Sequence, residues 1–218
     1  MRTDTALQCD VLDELAWEPS IKATDIGVSV KEGVVTLTGN VSTYAEKFTA
    51  EHAAKRIAGV RAIVEALNVT LLSGHQRNDN DIAQSVVSAL DGNVSVPYGK
   101  VKALVESGWL TLSGDVDWNY QREAAHNAVR HLIGIRGVTN LMQVTPFSVP
   151  TAEVRSRIES ALKRSMTKDA DSITIEDNNG KVTLHGNVQS WEEHDDATRA
   201  AWSAPGVCAV ENDIVIIA

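Results

Sequence analysis

Cysteine is almost missing from this chain. Cys9 and Cys208 are the only two in 218 residues, and neither sits in a Cys-x-x-Cys pair. A thiolate metal cluster and a disulfide framework are therefore excluded. Cationic residues are in deficit as well, with 20 Lys+Arg against 29 Asp+Glu and a formal net charge of −9. Such a chain gains nothing from the phosphate field of a nucleic acid, which sets aside a general DNA or RNA binder. The same sign weakens purely electrostatic attachment to anionic lipid. No apolar run is long enough to span a bilayer. The opening Met-Arg-Thr-Asp-Thr-Ala-Leu-Gln-Cys-Asp holds no apolar signal-peptide core. As written, the expected compartment is the cytoplasm, for a soluble protein. A leader removed upstream would make it the periplasm.

Catalytic signatures are missing too. There is no Walker loop, dinucleotide fingerprint, nucleophile elbow or His-Glu-x-x-His. The six histidines (His52, His75, His126, His131, His185 and His194) lack zinc-ligand spacing and read as surface or edge residues. The densest acidic run, Trp191-Glu192-Glu193-His194-Asp195-Asp196, suits the positive end of a helix dipole better than a cation site. The expectation is a protein that is not an enzyme, with no catalytic residue, cofactor or bound metal.

What is present is a repeat. Val35-Thr36-Leu37-Thr38-Gly39-Asn40-Val41 recurs as Leu110-Thr111-Leu112-Ser113-Gly114-Asp115-Val116 and as Val182-Thr183-Leu184-His185-Gly186-Asn187-Val188. The same two shifts superimpose Gly33, Gly108 and Gly180, and likewise Gly59, Gly134 and Gly206. These repeat-defining glycines are read as turn and helix-end positions. Leu7, Val11, Leu15 align with Ile82, Val86, Leu90 and with Val154, Ile158, Leu162, the i, i+4, i+8 seam of a short helix. Ala50, Ala53, Ala54, Ile57 and their counterparts mark a second helix with a small-residue face. Thr43-x-x-Glu46 and Ser190-x-x-Glu193 fit a capping box at its start, with Asp117 nearby in the second copy.

Between the helices, period-two alternation gives two strands, and a third follows the second helix: Ile63 to Val69, Val138 to Val144, Val210 to Ile216. The fold class is therefore α+β. Three modules, 1–73, 74–147 and 148–218, each run α-β-β-α-β with two helices on a three-stranded mixed sheet. Short links, the second stiffened by Pro146 and Pro150, point to a compact or gently curved array.

This pattern resembles the BON (bacterial OsmY and nodulation) domain. The residues that carry the resemblance are the two helical stripes, the Gly33 to Val41 hairpin, Leu15-Ala16-Trp17-Glu18-Pro19-Ser20, and the endings Gly137-Val138-Thr139-Asn140 and Gly206 to Asn212. Glu65 departs from it, standing where the other copies have Asn, and so does Asp177, where the first strand would carry an apolar residue. The resemblance implies a non-catalytic binding protein of osmotic or envelope stress that engages phospholipid membrane or an envelope or transport protein. It also implies two alternatives, a cytoplasmic small-ligand or potassium-ion sensor and a holdase-type chaperone. For the membrane or partner reading, Trp109, Trp118 and Trp191 are the candidate interaction residues, because an aromatic near a sheet end suits a membrane interface or a partner pocket, whereas ion sensing would survive the loss of Trp118 and Trp191. The competing reading of Trp118 and Trp191 is a hydrophobic staple that fixes the entry angle of the second helix.

Overall fold

A computed structural model describes residues 3–145, 151–165 and 172–217. The proline-stiffened link at 146–150 lies outside them. Each repeat opens with a helix: α1 (Asp4–Trp17), α3 (Asp79–Asp91) and α5 (Thr151–Ser165). Their buried residues are the three aligned triplets, so each helix commits one narrow stripe to its core.

A hairpin follows. In the first copy β1 (Ile26–Lys31) pairs antiparallel with β2 (Val34–Val41); in the second β4 (Val101–Glu106) pairs with β5 (Trp109–Val116). Both turn residues have positive φ, at Glu32 (53°) and Gly33 (77°) and again at Ser107 (53°) and Gly108 (82°). That is a two-residue turn whose twist matches the strands. The first residue of the preceding helix clamps it. Asp4 accepts hydrogen bonds from the N–H groups of Glu32 (2.8 Å) and Gly33 (3.1 Å), and Asp79 accepts them from Ser107 (2.8 Å) and Gly108 (2.9 Å). Asp79→Ala leaves two amides without their acceptor and is expected to cost about 1–3 kcal/mol. Urea titration would measure it, and an unchanged midpoint would refute the clamp.

The second helices are α2 (Tyr44–Lys55), α4 (Asn119–Val129) and α6 (Trp191–Trp202). Thr43 and Ser190 accept from the amides of Glu46 and Glu193 as the capping box requires. The reciprocal carboxylate bonds go one residue further back, to Ser42 and Gln189. The second copy corrects the sequence expectation. Its cap position is Trp118, which has no acceptor, and Gln121 Oε1 takes the N–H groups of Asp117 (3.0 Å) and Trp118 (3.1 Å). Asp117 instead pairs with Lys100 at 2.8 Å.

The last strands, β3 (Ala62–Val69), β6 (Gly137–Asn140) with β7 (Gln143–Val144), and β10 (Ala209–Ile216), run parallel to the middle strand of each sheet. In the third copy β8 (Thr174–Asn178) pairs with β9 (Lys181–Val188). The orders are β1-β2-β3, β4-β5-β6 and β8-β9-β10, which makes three mixed sheets.

The expected continuous strand from Val138 to Val144 is split. Asn140 Oδ1 accepts the Met142 N–H (3.1 Å) while its amide reaches the Arg122 carbonyl. Asn212 makes the same two contacts, accepting from Ile214 (3.0 Å) and donating to the His194 carbonyl (3.3 Å), yet β10 runs unbroken, so these bonds alone do not interrupt a strand. Glu65 makes neither bond, and pairs with Lys47 at 2.8 Å. Each module encloses its own buried cluster.

Candidate functional site

The three modules meet through their second helices. Tyr44 and Phe48, early in α2, meet His126 and Arg130, late in α4: Tyr44 Oη lies 3.3 Å from His126 Nε2, and the Arg130 guanidinium sits 4.7 Å from the Phe48 ring centre. Arg122, early in α4, lies 4.7 Å from the ring of Trp202 at the end of α6. Trp191, at the start of α6, lies 5.8 Å from the Lys55 ammonium at the end of α2. Lys55, Arg130 and Trp202 are equivalent positions in the repeat. The contact therefore runs in the same head-to-tail sense at every junction and closes on itself. Each junction carries one cation over an aromatic face, a pairing worth ~0.5–2 kcal/mol.

Two histidines are drawn into this centre, against the expectation that all six are surface or edge residues. The Phe48 ring centre is 4.2 Å from that of His52 and 5.6 Å from that of His126. Burial holds both imidazoles below their ordinary value, and Lys55 beside His52 and Arg130 beside both add to it against Glu51, Asp195 and Glu123. Burial likewise raises the Tyr44 phenol.

The unfolded chain therefore takes up these two protons first as pH falls through 6.5. Stability is unaffected above that value and is lost below it, toward the lower folded values. Melting temperature is expected to drop between about pH 7 and about pH 5, and to drop less steeply in His52→Gln/His126→Gln. Parallel profiles would refute the assignment.

The sequence candidates occupy three different settings. Trp191 packs against the cores of modules one and three, so its ring is committed to the junction. Trp118 is half-buried at the cap of α4. Trp109 is 54% exposed on the open face of its sheet, with its ring laid over Gly137, where a Cβ would stand 2.1 Å from Trp109 Cζ3. Leu104, 57% exposed, shares that face. Val105 and Leu110 are opposed in the ladder and point toward the core, which turns Leu104 and Trp109 outward together. Leu104 has no counterpart signal among the repeat columns, and only strand register reveals it.

A cleft of about 820 Å³ separates modules one and three. Val34, Thr36 and Arg61 line one wall, and Trp191, Ile214 and Ile216 the other. Among the described residues no three His, Cys, Asp or Glu side chains converge to hold a metal ion, and no helix is long and apolar enough to cross a membrane.

A family model for the BON domain matches residues 3–70, 78–146 and 150–218. Osmotically-inducible protein Y of Escherichia coli (strain K12) is 30% identical over 142 residues, 63% of this chain and 70% of that protein. Among solved structures, CdsD, a structural protein of the type III secretion system of Chlamydia trachomatis, is 14% identical and covers 96% of this chain and 91% of its own, at a TM-score of 0.28. The PrgH periplasmic domain is 11% identical and covers 95% of this chain and 100% of its own, at a TM-score of 0.23. At those scores neither structure bears on fold or function.

Proposed function

The chain belongs to the BON domain family, and from that premise we propose that it is a non-catalytic binding protein of the osmotic-stress response that engages phospholipid membrane through the open sheet face of module two. Similarity to an osmotically inducible protein supports the stress association. The observation that carries the membrane reading is the outward pair Leu104 and Trp109. An aromatic ring and a branched aliphatic chain, side by side on a rigid sheet, match the shape of an interfacial anchor. Lys102 and Glu106 flank the pair on the same strand face, so the patch is apolar with a mixed-charge rim and does not depend on a basic surface.

Flotation with neutral and with anionic vesicles, each at low and high potassium, tests this. The protein is expected to rise with both vesicle types, and Leu104→Ser/Trp109→Ser to lose about tenfold in partitioning. Equal flotation of the double variant, or none by the wild type, would overturn the reading.

A further inference from the structure

We propose that the cleft between modules one and three is a peptide-binding groove, taking an extended apolar segment that bears a carboxylate and adds as a strand to the free edge of β10. This second site lies apart from the Leu104 and Trp109 face and goes beyond the membrane reading.

The edge comes first. β10 ends its sheet, in the order β10-β9-β8. The Ile217 N–H donates to the Val188 carbonyl at 2.8 Å, which sets the phase of the ladder. Alternation then turns the Ile216 N–H and the carbonyls of Ile214 and Ile216 away from β9, toward the open side. The Ile214 N–H is already occupied by Asn212 Oδ1 (3.0 Å). An incoming strand would meet one donor and two acceptors along the lip of the cleft. An acyl chain laid there would bury those groups unpaired at a cost of about 1–3 kcal/mol each, which favours a peptide.

Charge comes second. Lys31 and Arg61 line the cleft, and among the described residues neither is in an ion pair. Lys22, Lys47, Lys55, Arg56 and Lys100 sit against carboxylates, whereas among the described residues Lys102 and Arg136, like the two cleft cations, do not. Two cations against the single carboxylate of Glu32, in a chain of net charge −9, make this lining a place where a carboxylate is favoured. The stem of Arg61 lies over Gly33, with its Cδ 2.9 Å from where a Cβ would stand.

Third, the space is particular to this module. Val34 and Ala62 face each other across the β2–β3 ladder, and Trp109 and Gly137 hold the same register in module two. There the indole covers the strand pair. In module three the corresponding Lys181 is drawn into an ion pair with Glu211 at 2.7 Å.

The test uses the full chain and a fluorescein-labelled Thr-Val-Thr-Val-Thr-Val peptide with a free carboxylate, read by anisotropy. Saturable binding is expected. C-terminal amidation of the peptide and Arg61→Glu should each weaken it about tenfold. Val34→Trp/Ala62→Gly copies the Trp109 and Gly137 pair into module one, and should abolish binding while the melting temperature holds. Hydrogen exchange should show the peptide protecting the Ile216 amide. Undiminished binding to the filled-cleft variant, or binding of decanoate with no binding of the peptide, would overturn the proposal. If the filled variant misfolds, Arg61→Glu, at an exposed side chain, decides alone, and undiminished binding to it overturns the groove. Vesicle flotation of the filled variant should match wild type, so failure of the groove and failure of the membrane face are read separately.

Discussion

Gly114→Ala is expected to unfold module two, at a cost of about 3 kcal/mol or more. Two effects add. Gly114 has φ of +134°, a conformation that side chains rarely adopt, and a Cβ there would stand 2.0 Å from the Lys100 carbonyl oxygen. That oxygen belongs to backbone entering β4, so relief requires the hairpin to separate. Gly39 and Gly186 stand in the same relation to Asp25 and Ser172, at 2.1 Å and 2.2 Å. A module of ~65 residues has only a few kcal/mol of its own stability, so the loss is comparable to the whole. Two controls sit in the same molecule. Gly99→Ala meets nothing within 4 Å and bears only the strain of φ +71°, about 1 kcal/mol. Gly74→Ala meets nothing and keeps an ordinary φ, so it should be neutral or slightly stabilising. Urea unfolding of the three variants orders them. A Gly114→Ala midpoint near that of Gly99→Ala would show that the close approach yields cheaply.

Trp191→Ala/Trp202→Ala is expected to release module three. Trp191 is packed against the cores of modules one and three, and Trp202 against those of modules two and three. One helix therefore carries an indole into each neighbour. Large-to-small changes at buried aromatic positions cost about 3–5 kcal/mol, and somewhat less at these half-buried ones, ~2–4 kcal/mol each. Part of that cost falls on the junctions, because the two cation contacts to neighbouring modules, Lys55 with Trp191 and Arg122 with Trp202, go with the rings. X-ray scattering should show a larger radius of gyration, and calorimetry a low-temperature transition splitting from the main one. A single unshifted transition with unchanged dimensions would mean that the junctions contribute little.

Some of this architecture is legible residue by residue. The glycine columns announce the hairpins because only a few residues accept positive φ, and the triplets such as Leu7, Val11 and Leu15 announce helices because burial follows the helical period. The clamp of Asp4 on the turn at Glu32 is not legible, since a hydrogen bond across 28 positions leaves no local pattern. The split of the last strand in module two also escapes period-two reading, because the same residues alternate on either side of it as in the unbroken β10. The junctions are hidden for a different reason. Comparing repeats rewards sameness, yet the equivalent positions hold Lys55, Arg130 and Trp202, and their partners are Trp191, Phe48 and Arg122. What the junctions preserve is a relation between a cation and a ring, with the two roles exchanged at the third. The candidate site divides in the same way. Trp109 stands out by residue type, whereas Leu104 beside it and the cleft opposite Trp191 emerge only when strand register and module contacts are known.

The head-to-tail sense of these junctions has a consequence for copy number. Each module offers one contacting end and one receiving end, and with three in a chain every end is used. A piece cut down to modules one and two would keep one unused end of each kind, on opposite sides. Such pieces would either gather as closed rings or add end to end into open filaments, whichever the rotation per step allows. Three copies are thus the count at which this chain satisfies its own adhesive ends, and a fourth would find no end left to receive it.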